Sequence, residues 1–282
     1  MTLFPLPPGL VEATVSAALK EDLGDAGDVT SNACIPATQQ AVAAVVARKP
    51  GAISGVEAAC AAFRLVDRSI SITTIKADGS LVKPGDAVMR VSGGARAILT
   101  AERVALNFLG HLSGVATATA ALVTAIDGTT ARIACTRKTT PGLRAFEKHA
   151  VRCGGGVNHR FGLYDAVMIK DNHIAACGGV TQALRDAKAA VGHTVKIEIE
   201  VDTLAQLEDV LKEGADIILL DNMNTDDLKR AVIMTNGRAI LEASGNVKAE
   251  TVRAIAETGV DIISSGWITH SAPTLDLGLD FG

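Results

Sequence analysis

The sequence predicts an α/β protein in which a small N-terminal α+β sandwich domain precedes an incomplete parallel α/β barrel. The 282 residues are 48% hydrophobic but only 3% aromatic, which favours buried parallel strands built from aliphatic side chains. After residue 128, short apolar strands alternate with helical stretches. Such β-α repeats fold into parallel sheets with right-handed crossovers, most simply a complete or incomplete barrel.

The N-terminal domain is expected to cover residues 1–112. Apolar spacing and turn residues predict a helix over 10–23, a strand over 41–48, a helix over 56–66, a strand over 70–75 and a hairpin over 80–93 that turns at 84–86. GDAGDVTSN, after the first helix, is expected to be a loop. Its acids could bind a cation, but turn and helix-cap chemistry is the favoured interpretation.

The barrel domain is expected to cover residues 113–271, with the tail 272–282 packing back on the N-terminal domain. Residues 96–126 have a helical pattern that predicts two helices meeting near Ser113 and Gly114. Six barrel strands follow, over 132–136, 166–170, 195–201, 217–221, 239–244 and 262–265. The helices between them are centred near residues 146, 184, 207, 229 and 254.

Polar residues or glycines stand at the carboxyl end of every predicted barrel strand. They are Thr136-Arg137-Lys138, Lys170-Asp171-Asn172-His173, Glu200, Asp221-Asn222, Ser244-Gly245-Asn246 and Ser265-Gly266. Helix caps could explain two or three of these. Because barrel enzymes place their sites at this end of the strands, the full set predicts an active site.

The stretch from Thr136 to His173 is strongly basic, although the whole chain has a net charge of −4. Its cations surround a triple glycine and are Arg137, Lys138, Arg144, Lys148, Arg152, Arg160 and Lys170. Arginine matches carboxylates and phosphates with a planar fork, and consecutive glycines let backbone N–H groups approach an anion. We therefore expect a substrate that carries several negative charges, both carboxylate and phosphate.

The segment KIEIEVD gives a second indication of the same site. Strand periodicity places Lys196, Glu198, Glu200 and Asp202 on one face, which should point into the barrel. Buried charges need partners, for which Lys138 and Lys170 are the candidates. A Mg²⁺ ion shared by Glu200, Asp221 and substrate oxygens would serve the same purpose. The ASGN and SSG turns predict a phosphate pocket.

The bulk composition excludes several classes of function. A net charge of −4 and an isoelectric point near 5.9 argue against nucleic-acid or anionic-membrane binding. Five scattered cysteines without a CxxC pair indicate a reducing compartment and no metal-type cluster. The start MTLFPLPPGL lacks a basic segment, and the apolar run VATATAALVTAI is too short to span a bilayer. We expect a cytoplasmic protein without membrane association.

Ordered motifs along nearly the whole chain resemble the quinolinate phosphoribosyltransferases, the decarboxylating nicotinate-nucleotide pyrophosphorylases of NAD biosynthesis. The motifs are EDLGDAGDVTS, AERVALNFLGHLSGVAT, TRKTTPGLRAFEKHAVRCGGGVNHRFGLYDAVMIKDNH, EIEVD, LLDNM, EASGN and GVDIISSGWITHSAPTLDLGLD. The resemblance implies a type II phosphoribosyltransferase fold and pentosyltransferase (glycosyltransferase) activity. The expected substrates are quinolinate and phosphoribosyl pyrophosphate, and the expected products are nicotinate mononucleotide, pyrophosphate and carbon dioxide.

The resemblance also assigns roles within a homodimer whose site lies at the subunit interface. The quinolinate carboxylates would meet Arg137, His159, Arg160, Lys170 and, from the neighbouring subunit, Arg103. Lys138 would lie between the two substrates, and Thr136 would also bind substrate. Glu200 and Asp221 would hold the ribose hydroxyls and Mg²⁺, and act in catalysis with Lys138 and Lys170. The 5-phosphate would be bound by Ser244, Gly245, Asn246, Ser265 and Gly266.

Other residues of these motifs are expected to matter less. Arg144, Lys148 and His173 lie in them too, but His173 could equally cap the following helix, and Lys148 and His149 are expected to face solvent. In ISSGWITH, Ser265 and Trp267 stand where the family pattern has small aliphatic residues. The resemblance therefore does not predict the detailed shape of the phosphate pocket.

Four other functions have to be weighed. Lys138 or Lys170 could form the Schiff base of an aldolase, but that chemistry needs a neutral amine. A noncatalytic phosphate-binding or assembly protein would have no use for acids and bases at every strand end. A paralogue of the kind associated with molybdenum transport would alter the carboxylate-binding arginines. A phosphoribosyltransferase of the other common type would carry two adjacent acids, where DIILLDNM has only Asp221 before Asn222.

Overall fold

The computed structural model describes residues 3–281, which form two compact units. One unit, here called the N-terminal unit, contains the chain up to Ala120, the segment Ala145–Gly155 and the residues from Ala272 onward. The other, the barrel unit, contains Ala121–Arg144 and Gly156–Ser271. The sequence instead predicted a single domain boundary between residues 112 and 113, with residues 113–271 forming one barrel domain.

The helices and strands follow one another in the described residues in a clear order. They are α1 (Pro8–Leu23), α2 (Val29–Cys34), β1 (Gln40–Ala47), β2 (Gly51–Ala52), α3 (Val56–Val66), β3 (Ser71–Thr74), β4 (Leu81–Val82), β5 (Ala87–Gly94), α4 (Ala95–Ala125), β6 (Arg132–Ala134), α5 (Arg144–Cys153), β7 (Val167–Ile169), α6 (Asp171–Cys177), α7 (Val180–Ala190), β8 (Ile197–Val201), α8 (Leu204–Glu213), β9 (Ile217–Asp221), α9 (Thr225–Thr235), β10 (Ile240–Ser244), α10 (Ala249–Ala256), β11 (Ile262–Ser264), α11 (Trp267–His270) and β12 (Leu277–Phe281).

The N-terminal unit is built on a four-stranded sheet with the order β12-β1-β5-β3, in which every pairing is antiparallel. The alternating pattern of β1 buries Val45 and Ala47, and α1 packs against α3 beside the sheet. The tail lies on this sheet, because β12 pairs with β1 from Ala43 opposite Phe281 to Ala47 opposite Leu277. The predicted α+β fold is confirmed.

Two local predictions for this unit are wrong. Four of the nine residues of GDAGDVTSN are helical, because Asp28 accepts the Ser31 backbone N–H at 2.8 Å and starts α2. The loop prediction is therefore wrong for these residues, whereas the helix-cap role favoured for the acids is confirmed at Asp28. The predicted hairpin is not formed either. The chain does turn at Pro84 and Gly85, but β4 pairs with β2 whereas β5 pairs with β1 and β3. The turn therefore connects two sheets.

The predicted pair of helices over 96–126 is a single helix, α4, of 31 residues. Its glycines allow close packing and do not end the helix. A Cβ at Gly114 would lie 2.3 Å from the carbonyl oxygen of Pro273, and one at Gly110 would lie 2.9 Å from the Thr274 side chain. By length and composition α4 could cross a membrane, but 61% of its most apolar window is buried, as in the core helix of a water-soluble protein.

The barrel unit contains a six-stranded sheet with the order β6-β11-β10-β9-β8-β7, and all its pairings are parallel. Within residues 3–281 no ladder joins the edge strands β6 and β7, so the predicted incomplete barrel is confirmed. Helices α6 and α11 are short additions that the sequence pattern did not reveal.

Helix α5 was expected among the barrel helices, but it belongs to the N-terminal unit. There the Phe146 ring lies 6.0 Å from that of Phe108, measured between centroids. Glu147 and Lys148 are completely buried, and Glu147 accepts a hydrogen bond from His111 at 2.9 Å. The prediction that Lys148 and His149 face solvent is wrong, since only 11% of the His149 side chain is exposed.

Candidate active site

The carboxyl ends of the parallel strands border one cavity of about 980 Å³ in the barrel unit. This volume suits a small-molecule substrate site. The site residues predicted in this unit all line the cavity: Thr136, Arg137, Lys138, His159, Arg160, Lys170, Glu200, Asp221, Ser244, Gly245, Asn246, Ser265 and Gly266. The strand-end pattern therefore located the cavity correctly.

An ion pair connects two neighbouring strand ends. Lys170, just after β7, donates to Glu200 of β8 at 2.5 Å. The Glu200 side chain is only 11% exposed, so the pair is partly shielded from water. Lys138 was expected to pair with the same acids, but it has no ion pair in the described part of the chain. Its amine therefore remains available to an anionic ligand.

The segment around β8 follows the predicted alternation only in its centre. Glu198 is buried and Glu200 lines the cavity, as expected for the inward face. Lys196 precedes the strand and forms an ion pair with Asp216 at 2.6 Å, away from the cavity lining. Asp202 follows the strand and is exposed. The strand covers only Ile197–Val201, so its period does not govern the two flanking charges.

A buried cluster of His159, Glu198 and Glu242 forms part of the cavity wall. The His159 Nε2 atom lies 2.8 Å from Glu198 and 3.8 Å from Glu242. The backbone N–H of Arg160 donates to Nδ1 of the same ring at 2.8 Å. The Nε2 atom therefore faces the Glu198 carboxylate as a donor. Both ring nitrogens thus have protein partners.

Glu242 has a raised pKa because of its buried position. Burial and then the Glu198 carboxylate raise the pKa of Glu242 from 4.5 to about 7, although His159 opposes the change. One oxygen of Glu198 and one oxygen of Glu242 are buried and have no hydrogen-bond partner. The surroundings of Glu242 therefore favour its protonated form.

Two arginines supply the cationic wall of the cavity. Arg160 donates to the carbonyl of Ala166 at 3.1 Å, and the Nε groups of Arg137 and Arg160 are buried without a partner. Burial and the neighbouring Arg137 lower the pKa of Arg160. Unsatisfied donors in a cavity with two like charges favour a bound anion that accepts several hydrogen bonds.

The loops after β9 and β10 form a tight backbone cradle. Asn222, Gly245 and Asn246 have positive φ angles of 53°, 101° and 49°. The Asn222 backbone N–H donates to the Ser244 carbonyl at 2.9 Å, and a Cβ at Gly245 would lie 2.1 Å from the Asn222 side-chain oxygen. Only glycine fits there. Turns of this kind before a helix expose N–H groups to a phosphate.

Comparisons with known proteins decide the family. The model for the quinolinate phosphoribosyl transferase N-terminal domain matches residues 28–113, and that for the C-terminal domain matches residues 115–280. The chain belongs to the quinolinate phosphoribosyltransferase family. The family and the fold that the sequence motifs indicated are therefore both confirmed.

Several members of the quinolinate phosphoribosyltransferase family are similar over most of their length. A probable nicotinate-nucleotide pyrophosphorylase (carboxylating) of Bacillus subtilis is 44% identical over 260 residues, which cover 92% of this chain and 89% of that protein. A quinolinate phosphoribosyltransferase (decarboxylating) of Nicotiana glauca is 42% identical over 287 residues, which cover 95% of this chain and 81% of that protein. The solved structure of the nicotinate-nucleotide pyrophosphorylase of Francisella tularensis matches this fold with a TM-score of 0.95 and 38% sequence identity. The match covers 100% of this chain and 99% of that one.

Arg103, Arg144 and His173 belong to the family motifs but do not line the cavity. Arg103 is on α4 of the N-terminal unit, where its side chain is 66% exposed and lies 3.7 Å from Glu102. Arg144 donates to Thr139 and to the backbone of Phe161, so it holds loops of the barrel unit. His173 accepts the Lys170 backbone N–H at 3.0 Å and caps α6, the second of its two predicted roles.

Sequence reasoning on this family member missed several residues of the cavity. They are Met168, Leu219, Glu242, Val247, Lys248, Ala249, Glu250, Ser264, Trp267 and His270. Glu242 could have been found, because it lies two residues before Ser244 on the same face of β10. In the sequence Trp267 is only a departure from the family pattern. His270 has no separate signal in the sequence, since α11 was not predicted.

Proposed function

We propose that this protein transfers a phosphoribosyl group from phosphoribosyl pyrophosphate to the nitrogen of quinolinate and releases pyrophosphate and carbon dioxide. The product is nicotinate mononucleotide, a precursor of NAD. The observation that carries the proposal is a single cavity with unpaired cationic donors on one wall and a glycine-containing backbone cradle at adjacent strand ends. Family membership and the names of the relatives support it.

The cationic wall binds the two carboxylates of quinolinate. Arg137, Arg160 and Lys170 supply N–H donors, and the unpaired Lys138 lies where it can contact both substrates. Because both nitrogens of His159 are already bonded, its role is to position Arg160 through the backbone contact.

The cradle and the acids bind the phosphoribosyl donor. Ser244, Gly245, Asn246, Ser265 and Gly266 hold the 5-phosphate through backbone N–H groups and hydroxyls. Glu200 and Asp221 end the neighbouring strands β8 and β9 and offer only oxygen ligands, a donor set that fits Mg²⁺. These two carboxylates would hold the ion, which when bound neutralises pyrophosphate charge.

Catalysis follows from positioning and charge. The pyridine nitrogen attacks the anomeric carbon as the bond to pyrophosphate breaks, and the ribose passes through an oxocarbenium-like state. Glu200 and Asp221 stabilise the positive charge on the sugar, while Lys138 stabilises the departing anion. The pyridinium then accepts the electrons of the bond to the adjacent carboxylate, carbon dioxide leaves, and the ring carbon takes a proton.

A paired lysine argues against the Schiff-base alternative. The Lys170 amine donates to the Glu200 carboxylate and is therefore occupied by an ion pair, whereas imine formation needs an amine that is free to attack a carbonyl carbon. Lys138 is exposed and borders the arginine wall, where an anion is the natural partner.

The activity test uses purified protein with phosphoribosyl pyrophosphate, Mg²⁺ and quinolinate labelled in the carboxylate that is lost. We expect nicotinate mononucleotide and labelled carbon dioxide in equal amounts, and no product from nicotinate. Arg160→Ala should abolish turnover, whereas Arg185→Ala, which removes an exposed arginine paired with Glu213, should not. Binding of phosphoribosyl pyrophosphate without product from quinolinate would overturn the proposal in favour of a paralogue with another acceptor.

We also propose a cytoplasmic homodimer in which Arg103 of each subunit completes the partner's site. The exposed Arg103 side chain supports this arrangement. The five cysteines form no disulfide, which supports a reducing compartment. Arg103→Ala and Lys138→Ala should each be inactive alone. After subunit exchange, mixed dimers with one intact site should restore about a quarter of the activity. No recovery, with exchange shown by mass spectrometry, would exclude a shared site.

A further inference from the structure

A cluster in the N-terminal unit combines three different metal-ligating groups. Asp78, His149 and Cys153 each offer one ligand atom, and these atoms lie within 4.8 Å of one another. The Asp78 Oδ2 atom is 2.9 Å from His149 Nε2. All three side chains are largely buried. The proposed phosphoribosyl transfer uses none of them.

The helix α5 supplies two of the three groups. His149 and Cys153 are four residues apart, so they lie on the same face of the helix, one turn from each other. This spacing allows one ion to contact both side chains without distortion of the backbone, as in other helical metal sites.

The third group comes from a turn that the backbone holds in place. Asp78 precedes Gly79, whose φ of +85° makes the turn possible. The Gly79 N–H donates to the Ile53 carbonyl at 2.8 Å, and the Ile53 N–H donates to the Ser80 carbonyl at 2.9 Å. The second Asp78 oxygen accepts the Val56 N–H at 3.0 Å. The carboxylate is therefore preorganised and directs Oδ2 toward α5.

The donor chemistry selects the class of ion. A carboxylate oxygen, an imidazole nitrogen and a thiolate sulfur together suit Zn²⁺ and similar transition metals, whose tetrahedral ligands lie about 3.3–3.8 Å apart. One carboxylate and one thiolate also balance the charge of a divalent ion. Three protein ligands would leave the fourth position to water.

The residues of the cluster are far apart in the chain. Asp78 and His149 are separated by 71 residues, so the sequence pattern did not reveal the cluster.

We propose that Asp78, His149 and Cys153 form a binding site for a divalent transition-metal ion of the zinc type. The site would fix α5 to the turn that follows β3. It is built from the N-terminal unit alone, whereas the Mg²⁺ expected for catalysis would bind oxygen ligands of the barrel unit.

The test is a titration of chelator-treated protein with Co²⁺, followed by absorption spectroscopy. We expect about one tightly bound ion per chain, with a thiolate-to-cobalt charge-transfer band and the intense visible bands of tetrahedral cobalt. Cys153→Ser should lose the charge-transfer band. Asp78→Asn, which is nearly isosteric, should weaken binding at least about tenfold. Circular dichroism of each variant without metal establishes that it is folded.

The exposed cysteines provide the matched control. A variant with both Cys34→Ser and Cys177→Ser removes the two exposed thiols of the chain and should keep the full cobalt spectrum. Zn²⁺ should raise the melting temperature of this variant but not that of Cys153→Ser. A cobalt band that survives Cys153→Ser, a band lost in the double variant, or no binding at all would each overturn the proposal.

Discussion

Replacing Glu242 by glutamine should remove a pH-dependent cost to stability in the cavity wall. Burial and the Glu198 carboxylate raise the pKa of Glu242 from 4.5 to about 7, so between these values the folded protein binds a proton that the unfolded chain has lost. The stabilising effect of this proton is complete below pH 4.5 and is lost as the pH rises to about 7. At 1.36 kcal/mol for each pKa unit, the ionised residue costs about 3 kcal/mol above that window.

Glutamine imitates the protonated acid in size and cannot ionise. Melting curves followed by circular dichroism should therefore show little difference between the variant and the parent near pH 5, but a variant more stable by about 5–10 °C near pH 8. Glu12→Gln, on an exposed position of α1, is the control and should shift neither curve. A Glu242→Gln effect of equal size at both pH values would refute the assignment of the proton to this residue.

Three further predictions follow from the geometry. Gly245→Ala should raise the KM for phosphoribosyl pyrophosphate at least about tenfold and should also lower the melting temperature, because Gly245 has a φ of +101° and a Cβ would lie 2.1 Å from Asn222; an unchanged KM would contradict the cradle. Gly114→Ala should destabilise the fold by about 2–3 kcal/mol in urea titrations, since its Cβ would meet the Pro273 carbonyl at 2.3 Å; a neutral effect would mean that the tail is not held there. Trp267 is the only tryptophan and lines the cavity, so saturating phosphoribosyl pyrophosphate should change the intrinsic fluorescence; constant emission, with binding shown by calorimetry, would place the ligand elsewhere.

The position of the cavity was predictable because one rule of parallel sheets covers all six strands. Their carboxyl ends meet at one edge, so polar residues after each apolar run had to converge. Lys170 and Glu200 illustrate this, since they end adjacent strands and form an ion pair. The rule works from local pattern alone and needs no knowledge of side-chain packing.

Features that depend on packing were not predictable in this way. Ser113 and Gly114 suggested a helix break, but the close approach of Pro273 is what requires glycine there. Lys148 and His149 appeared to belong to a solvated helix, because charged residues usually do. The partner of His149 is Asp78, 71 residues away in the chain, which periodicity cannot reveal.

The protonation of Glu242 also depends on packing and was not predictable from the sequence. A single glutamate in a strand gives no hint of its protonation. The raised pKa of Glu242 comes from burial and from Glu198, a residue of another strand that the sheet order brings close.

The pairing of β12 with β1 has a consequence for biosynthesis. Residues 277–281 form an edge of the sheet whose neighbouring strand is made from residues 40–47. Domains usually fold in the order in which they leave the ribosome, but here the first sheet lacks one strand until almost the whole described chain has been synthesised. We expect β1 to remain an open edge during translation, accessible to chaperones and to other nascent chains.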